Sequence, residues 1–168
     1  MGNEDAAPAK SGTLREALRR LIRIGAALSE ERDLPKLLAL ILTSARDLVG
    51  CDAGSVYLVE DADAAGETTS EKHLYFLLAQ NDSAEFTMQK TRVEITRGSI
   101  AGYVALTGET LNIADVREIP KSAPYQFNFS FDDSTGYRTV SMLAVPMRNQ
   151  RGELLGVIQL INRRREFS

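Results

Sequence analysis

Phe127-Asn128-Phe129-Ser130-Phe131-Asp132-Asp133-Ser134-Thr135-Gly136-Tyr137-Arg138-Thr139 packs aromatics, two adjacent carboxylates, hydroxyl residues and a glycine into one short stretch. Such a mixture is costly to lay over an apolar core unless aromatic faces and hydrogen-bonding groups converge on something polar and flat. Read that way, the stretch is a lid, and a lid needs a sheet beneath it. The alternative is a surface turn in which Asp132 or Asp133 caps a helix and the phenylalanines are tucked under as anchors. The residues alone allow both.

What flanks the stretch favours a sheet. Residues 141–147 and 154–161 are apolar strand candidates joined by the polar turn Arg148-Asn149-Gln150-Arg151-Gly152-Glu153, which predicts a hairpin. Upstream, residues 54–59, 73–79, 92–95 and 111–113 read as further short strands, with an acidic loop over 60–72 and a turn at Gln80-Asn81-Asp82-Ser83. Between the third and fourth strands, Gly98-Ser99-Ile100-Ala101-Gly102 opens a brief helix that runs to Gly108. Its first amides, small side chains and dipole suit a phosphate-sized anion. The competing reading is that Gly98 and Gly102 serve only turn and packing needs.

Two helices precede the strands. Residues 1–12 have the composition of a flexible tail, and Thr13 with Glu16 forms a capping box at the head of a helix. Leu14, Leu18, Leu21, Ile22, Gly25 and Leu28 recur on one side of it, opposite Arg15, Arg19 and Arg23. Asp33 is placed to cap the second helix, Pro35 suits its first turn, and Gly50 stops it after an apolar face from Leu37 to Val49. Both apolar faces must be covered by the sheet, by each other or by a partner chain.

Composition limits the function classes. A 168-residue chain with 43% hydrophobic and 26% charged residues forms one globular domain with appendages, and a net charge of −3 argues against general affinity for nucleic acid or anionic membrane. The single cysteine, Cys51, forms no internal disulfide, and no basic-then-apolar leader opens the chain, so a cytoplasmic setting is expected. Cys51 reads as a small buried hydrophobe just before the first strand, without a cationic neighbour to lower its pKa. The lone histidine, His73, has no imidazole or thiol near it in sequence and reads as a solvent-facing strand residue. Asp61 and Asp63 read as solvated loop residues. Adjacent Asp132 and Asp133 cannot both enter one site, so an acid/base dyad is not expected. No nucleophile elbow, P-loop or HExxH motif is present, and no enzymatic activity is expected of the domain itself.

The run from Gly98 to Asp115, the lid ending Asp132-Asp133-Ser134-Thr135-Gly136-Tyr137-Arg138-Thr139, and Met142-Leu143-Ala144-Val145-Pro146-Met147 followed by Gly156-Val157-Ile158-Gln159-Leu160-Ile161-Asn162-Arg163 together resemble a GAF domain. More narrowly, they are similar to the cyclic-nucleotide-binding GAF domains of mammalian phosphodiesterases and cyanobacterial adenylyl cyclases. The resemblance implies an α+β fold related to PAS domains: a central six-stranded antiparallel sheet, helices on one face, and a ligand pocket under short helices and a lid on the other. It implies one domain over residues 13–168, with 13–32 as a linker or dimerisation helix and the C-terminal linker helix cut short. It also implies a non-catalytic sensory role with a cyclic nucleotide, cAMP or cGMP, as ligand, no other cofactor, a homodimer through terminal helices, and an output domain elsewhere in a longer protein. A dimerisation module with a vestigial pocket, or a sensor of another small molecule, is the alternative.

By the same resemblance, Ser55 and Gln159 reach toward a purine, and the turn at Ser99 presents the amides of Ile100 and Ala101 to the cyclic phosphate. Phe127 and Asn128 close over ribose and phosphate, while Asp132, Thr135 and Thr139 hold the base and the lid. Ala79 and Gln80 stand where family members often carry an aromatic followed by Asp, which makes Gln80 an expected ligand contact. Asn162-Arg163, with Phe167, begins the family's C-terminal signature.

Overall fold

The computed structural model describes residues 9–60, 73–81 and 91–164. Asp61, Asp63 and Phe167 lie outside them, as does the expected tail up to residue 8. In chain order the elements are α1 (Ala9–Glu30), α2 (Leu34–Val49), β1 (Cys51–Glu60), β2 (His73–Asn81), β3 (Thr91–Glu94), α3 (Ile100–Thr107) and β4 (Leu111–Ile113). A 3-10 turn (Val116–Glu118), α4 (Ser130–Thr135), β5 (Met142–Arg148) and β6 (Leu154–Arg163) follow. The six strands form one antiparallel sheet in the order β3-β2-β1-β6-β5-β4. This is the expected α+β architecture, with the first and last long strands side by side at its centre.

Helix α2 starts and stops where its sequence says. Asp33 accepts from the Lys36 amide at 3.0 Å, Pro35 sits in the first turn, and Gly50 ends the helix at φ 71° with its amide on the Arg46 carbonyl. Helix α1 differs from expectation: it is already helical at Ala9, so Thr13 lies inside it and is not its cap. Ala9 and Lys10 are good helix formers, and a turn of helix gained there outweighs the modest penalties of Ser11, Gly12 and Thr13.

Alternation along the strands divides the core into two layers. Val56, Ile158 and Leu160 face α2 and pack on Leu38 and Leu42 with Leu143 and Val145. Val157, Ala144 and Met142 face the other way, onto Ile100, Ala101 and Val104 of α3 and onto Ile113 and Val116. Gly54 shows how closely α2 sits: a methyl group there would lie 2.8 Å from Leu42 and 2.9 Å from the Gln159 carbonyl. The sheet covers most of the apolar face of α2, Leu48 excepted, whereas Leu18, Leu21 and Ile22 of α1 remain exposed.

Cys51 is the first residue of β1 rather than its predecessor, and it is buried. Contrary to the sequence reading it does have cationic neighbours, Arg163, Arg46 and Arg164, brought in from β6, α2 and the chain after β6. Burial outweighs their pull and leaves the thiol pKa raised.

Candidate functional site

The candidate site lies on the sheet face opposite α2. Its floor is a cross-strand row in which Leu111, Ala144, Gln159, Ser55 and Ala79 stand side by side from β4 to β2. Two polar residues interrupt this otherwise apolar row. Ser55 and Gln159 are both buried, and the Ser55 hydroxyl donates to Gln159 Oε1 at 3.3 Å. Only the Oε1 side of the carboxamide is engaged by this bond, and its NH2 group supplies donors on the same face.

One wall is the start of α3. Ser99 caps the helix, its hydroxyl accepting from the Gly102 amide at 3.0 Å and its carbonyl from Tyr103 at 2.8 Å. The amides of Ile100 and Ala101 are therefore the first-turn donors left over. Both residues are buried against the core. Gly102 is fixed by packing, as the competing reading held: a Cβ there would lie 2.1 Å from the Thr96 carbonyl oxygen. Gly98 has no such neighbour, its virtual Cβ coming no nearer than 3.8 Å to Thr96 Oγ1.

Within residues 127–139 the chain forms the short helix α4 rather than a bare turn. Asn128 accepts from the Ser130 amide at 3.0 Å, doing at the head of α4 what was expected of Asp132 or Asp133. Phe127 packs on the core beside α3 and meets Phe129 edge to face, 4.8 Å between ring centres. Thr135 is spent within the lid, donating to the Phe131 carbonyl at 2.8 Å and accepting from the Tyr137 amide at 3.3 Å. Asp132 and Thr139 are brought together and buried: Oδ1 accepts the Thr139 hydroxyl and Oδ2 the Thr139 amide, each at 2.8 Å. Asp133, by contrast, is exposed.

The side chain of Gln80, an expected contact, lies outside the described residues. The register pairs the residue with Gly54, in the row of Leu160 and Leu143 that faces α2, and places Ala79 in the row of Ser55 and Gln159.

The GAF domain family matches residues 33–168. The chain belongs to the GAF family. Among relatives, it is 33% identical over 137 residues to a dual 3',5'-cyclic-AMP and -GMP phosphodiesterase 11A of Takifugu rubripes; that match takes in 81% of this chain but only 14% of the phosphodiesterase. Among solved structures, the GAF domain of a phosphoenolpyruvate-protein phosphotransferase from Coxiella burnetii superposes with a TM-score of 0.63 at 22% identity, covering 86% of this chain and 76% of that one. A free methionine-R-sulfoxide reductase from Neisseria meningitidis, solved with its substrate, gives a TM-score of 0.60 at 18% identity, over 96% and 80%. At those identities the structures share the fold.

Several residues that hold this GAF domain's site together had no role assigned from the sequence. Arg117 donates to the Thr139 carbonyl, lies 3.9 Å from Asp132 Oδ2, and stands over the Phe129 ring at 5.3 Å. Tyr137 donates to Asp52 Oδ2 at 2.7 Å and accepts from Asn162 Nδ2 at 2.9 Å. Asn162, in the left-handed region at φ 55°, also donates to the Arg138 carbonyl and accepts from the Val140 amide. The Tyr137 hydroxyl has its pKa raised, first by burial and then by the hydrogen bond to Asp52. Asp52 in turn lies 3.8 Å from Arg164. The end of the lid is thereby tied to the end of β6, where the chain leaves the sheet.

Among the described residues no three His, Cys, Asp or Glu side chains gather as a metal ion would need, and no helix is long and apolar enough to cross a membrane.

Proposed function

We propose that this GAF domain is a non-catalytic sensory module that binds a cyclic nucleotide between the Ser55–Gln159 floor and the lid, and controls an output domain in the same protein. The observation that carries the reading is the buried Ser55–Gln159 pair. Polar side chains cost free energy when placed on an apolar sheet face, and a pair offering an amide NH2 suits the edge of a purine. The first-turn amides of Ile100 and Ala101 suit the cyclic phosphate, with no lysine required. Phe127 offers a flat face, and Asn128 retains a free NH2 for ribose or phosphate. Asp132 and Thr139 act on the lid by holding its middle to its end. The phosphodiesterase relative, named for both nucleotides, makes cAMP and cGMP the first ligands to try.

The test is thermal unfolding of the domain with each nucleotide. Ligand at a hundred times Kd stabilises by about 2.7 kcal/mol, roughly 5–10 °C in Tm for a domain of this size. That shift is expected for the wild type and is reduced in Asp132→Ala and Thr139→Ala. An unchanged shift in both variants contradicts the role given to the lid.

A second reading, a dimerisation module, is favoured by the exposed Leu18, Leu21 and Ile22 on α1. Leu14, Leu21 and Leu28 recur every seven residues, the spacing of a helix pair seam. Sedimentation as a dimer that Leu21→Glu dissociates is the expected result; a monomer at high micromolar concentration contradicts it. The two readings are compatible, since a sensor can signal through paired helices.

A further inference from the structure

We infer that Arg117 is the positioning residue of the lid, a fixed post to which the beginning, middle and end of the segment 129–139 are all fastened. The inference concerns the same site as the proposed sensor and, where it speaks of ligand, rests on that reading.

The post is firm because its neighbours are. Val116 is buried in the core, its amide donates to the Val140 carbonyl at 2.8 Å, and the Arg117 amide donates to Asp115 Oδ1 at 2.8 Å. From this base one guanidinium makes three contacts: to the carbonyl of Thr139, to the carboxylate of Asp132, and to the ring of Phe129. Phe129 in turn lies on Phe127, which packs on the core. A planar fork serves all three at once, whereas an ammonium would serve one.

Taken singly these contacts are modest. The Arg117 side chain is 37% exposed, and an ion pair at 3.9 Å in such a setting contributes little by itself. What raises its importance is Asp132, only 5% exposed, whose charge has two hydrogen bonds from Thr139 but needs a cation nearby. Arg117 supplies that charge from outside the lid, so removing it leaves the lid's own internal bonds and the ties of Tyr137 and Asn162 in place but takes away the anchor at Phe129, Asp132 and Thr139.

Hydrogen exchange of the ligand-free protein tests the assignment. The probes are the amides of Asp133, Gly136 and Thr139, which donate to Phe129, Asp132 and Asp132 respectively. In Arg117→Ala their exchange is expected to rise about tenfold, the worth of one charge-assisted hydrogen bond, while β5 and β6 amides keep wild-type rates. Arg117→Lys, which keeps the charge and loses the fork, is expected to fall between the two, and it serves as the probe if the alanine variant does not fold. Unchanged lid exchange in the folded variants overturns the assignment. So does acceleration spread equally over β5 and β6, which would make Arg117 a general fold residue. A separate arm measures release of cAMP and cGMP, expected about tenfold faster in Arg117→Ala. If neither nucleotide binds the wild type, the sensor reading fails, and exchange still decides the role of Arg117.

Discussion

The hydroxyl of Tyr137 donates to Asp52 across 85 positions of sequence at 2.7 Å, and joins the end of the lid to the start of the first strand. Asn162 donates to the same hydroxyl from the end of β6. One phenol thus connects the lid, the strand that begins the sheet and the strand that ends it.

Tyr137→Phe removes this connection and is expected to cost about 1 kcal/mol at neutral pH, because Asn162 and Asp52 each lose a partner. The pH dependence has a definite sign. The folded state holds the proton of Tyr137 more tightly than the unfolded state, whose value is near 10, so the stabilisation is complete below pH 10 and is lost as pH rises toward the higher folded value. Denaturant midpoints should therefore fall above pH 10 in the wild type and fall less steeply in Tyr137→Phe.

Asp132 and Thr139 should behave as one unit. Asp132→Ala strands the Thr139 amide and hydroxyl and is expected to destabilise by about 1–3 kcal/mol, while Thr139→Val, which removes only the hydroxyl, costs about 1 kcal/mol. In a double-mutant cycle the two losses should fall short of additive by about 0.5 kcal/mol or more. Additive losses would show that the 2.8 Å bond of the Thr139 hydroxyl does not hold the lid in solution.

Glycines 98 and 102 separate packing from ligand binding. Gly102→Ala drives a methyl group against the Thr96 carbonyl and is expected to cost about 1–3 kcal/mol, as overpacking does. Gly98→Ala meets nothing closer than ordinary contact and should be neutral within about 0.5 kcal/mol. Urea unfolding of the two variants side by side makes the comparison.

The floor pair offers a change whose cost in stability and loss of function are read separately. Replacing both members, Ser55→Ala with Gln159→Leu, strands neither of the two but takes from the Tyr57 hydroxyl its hydrogen bond with Ser55, and is expected to cost about 1–3 kcal/mol. Nucleotide affinity should fall at least about tenfold, the worth of one lost hydrogen bond to the base. Full affinity in the double variant would move the base away from this floor.

Features written in a few neighbouring residues were legible in the sequence. Asp33, Pro35 and Gly50 delimit α2 because caps and breakers act locally, and the strands announce themselves by alternation. The capping box at Thr13 was misleading because a cap motif also fits inside a longer helix when the residues before it are helix formers. Position 80 could not be assigned to a face, since a single-residue change in register reverses it and register depends on pairing with β1. The contacts of Arg117, Tyr137 and Asn162 were missed for the same reason: their partners lie on other elements, and one-dimensional spacing does not record them. The cations around Cys51 likewise come from α2, from β6 and from the residue after β6.

Calorimetric titration of the domain with cAMP and cGMP in parallel, after unfolding and refolding one portion to strip any bound ligand, tests the central claim most directly. Saturable heat with a micromolar or tighter Kd for at least one nucleotide, weakened in Asp132→Ala, is the predicted result. The absence of binding heat from both nucleotides in folded, stripped protein would contradict it.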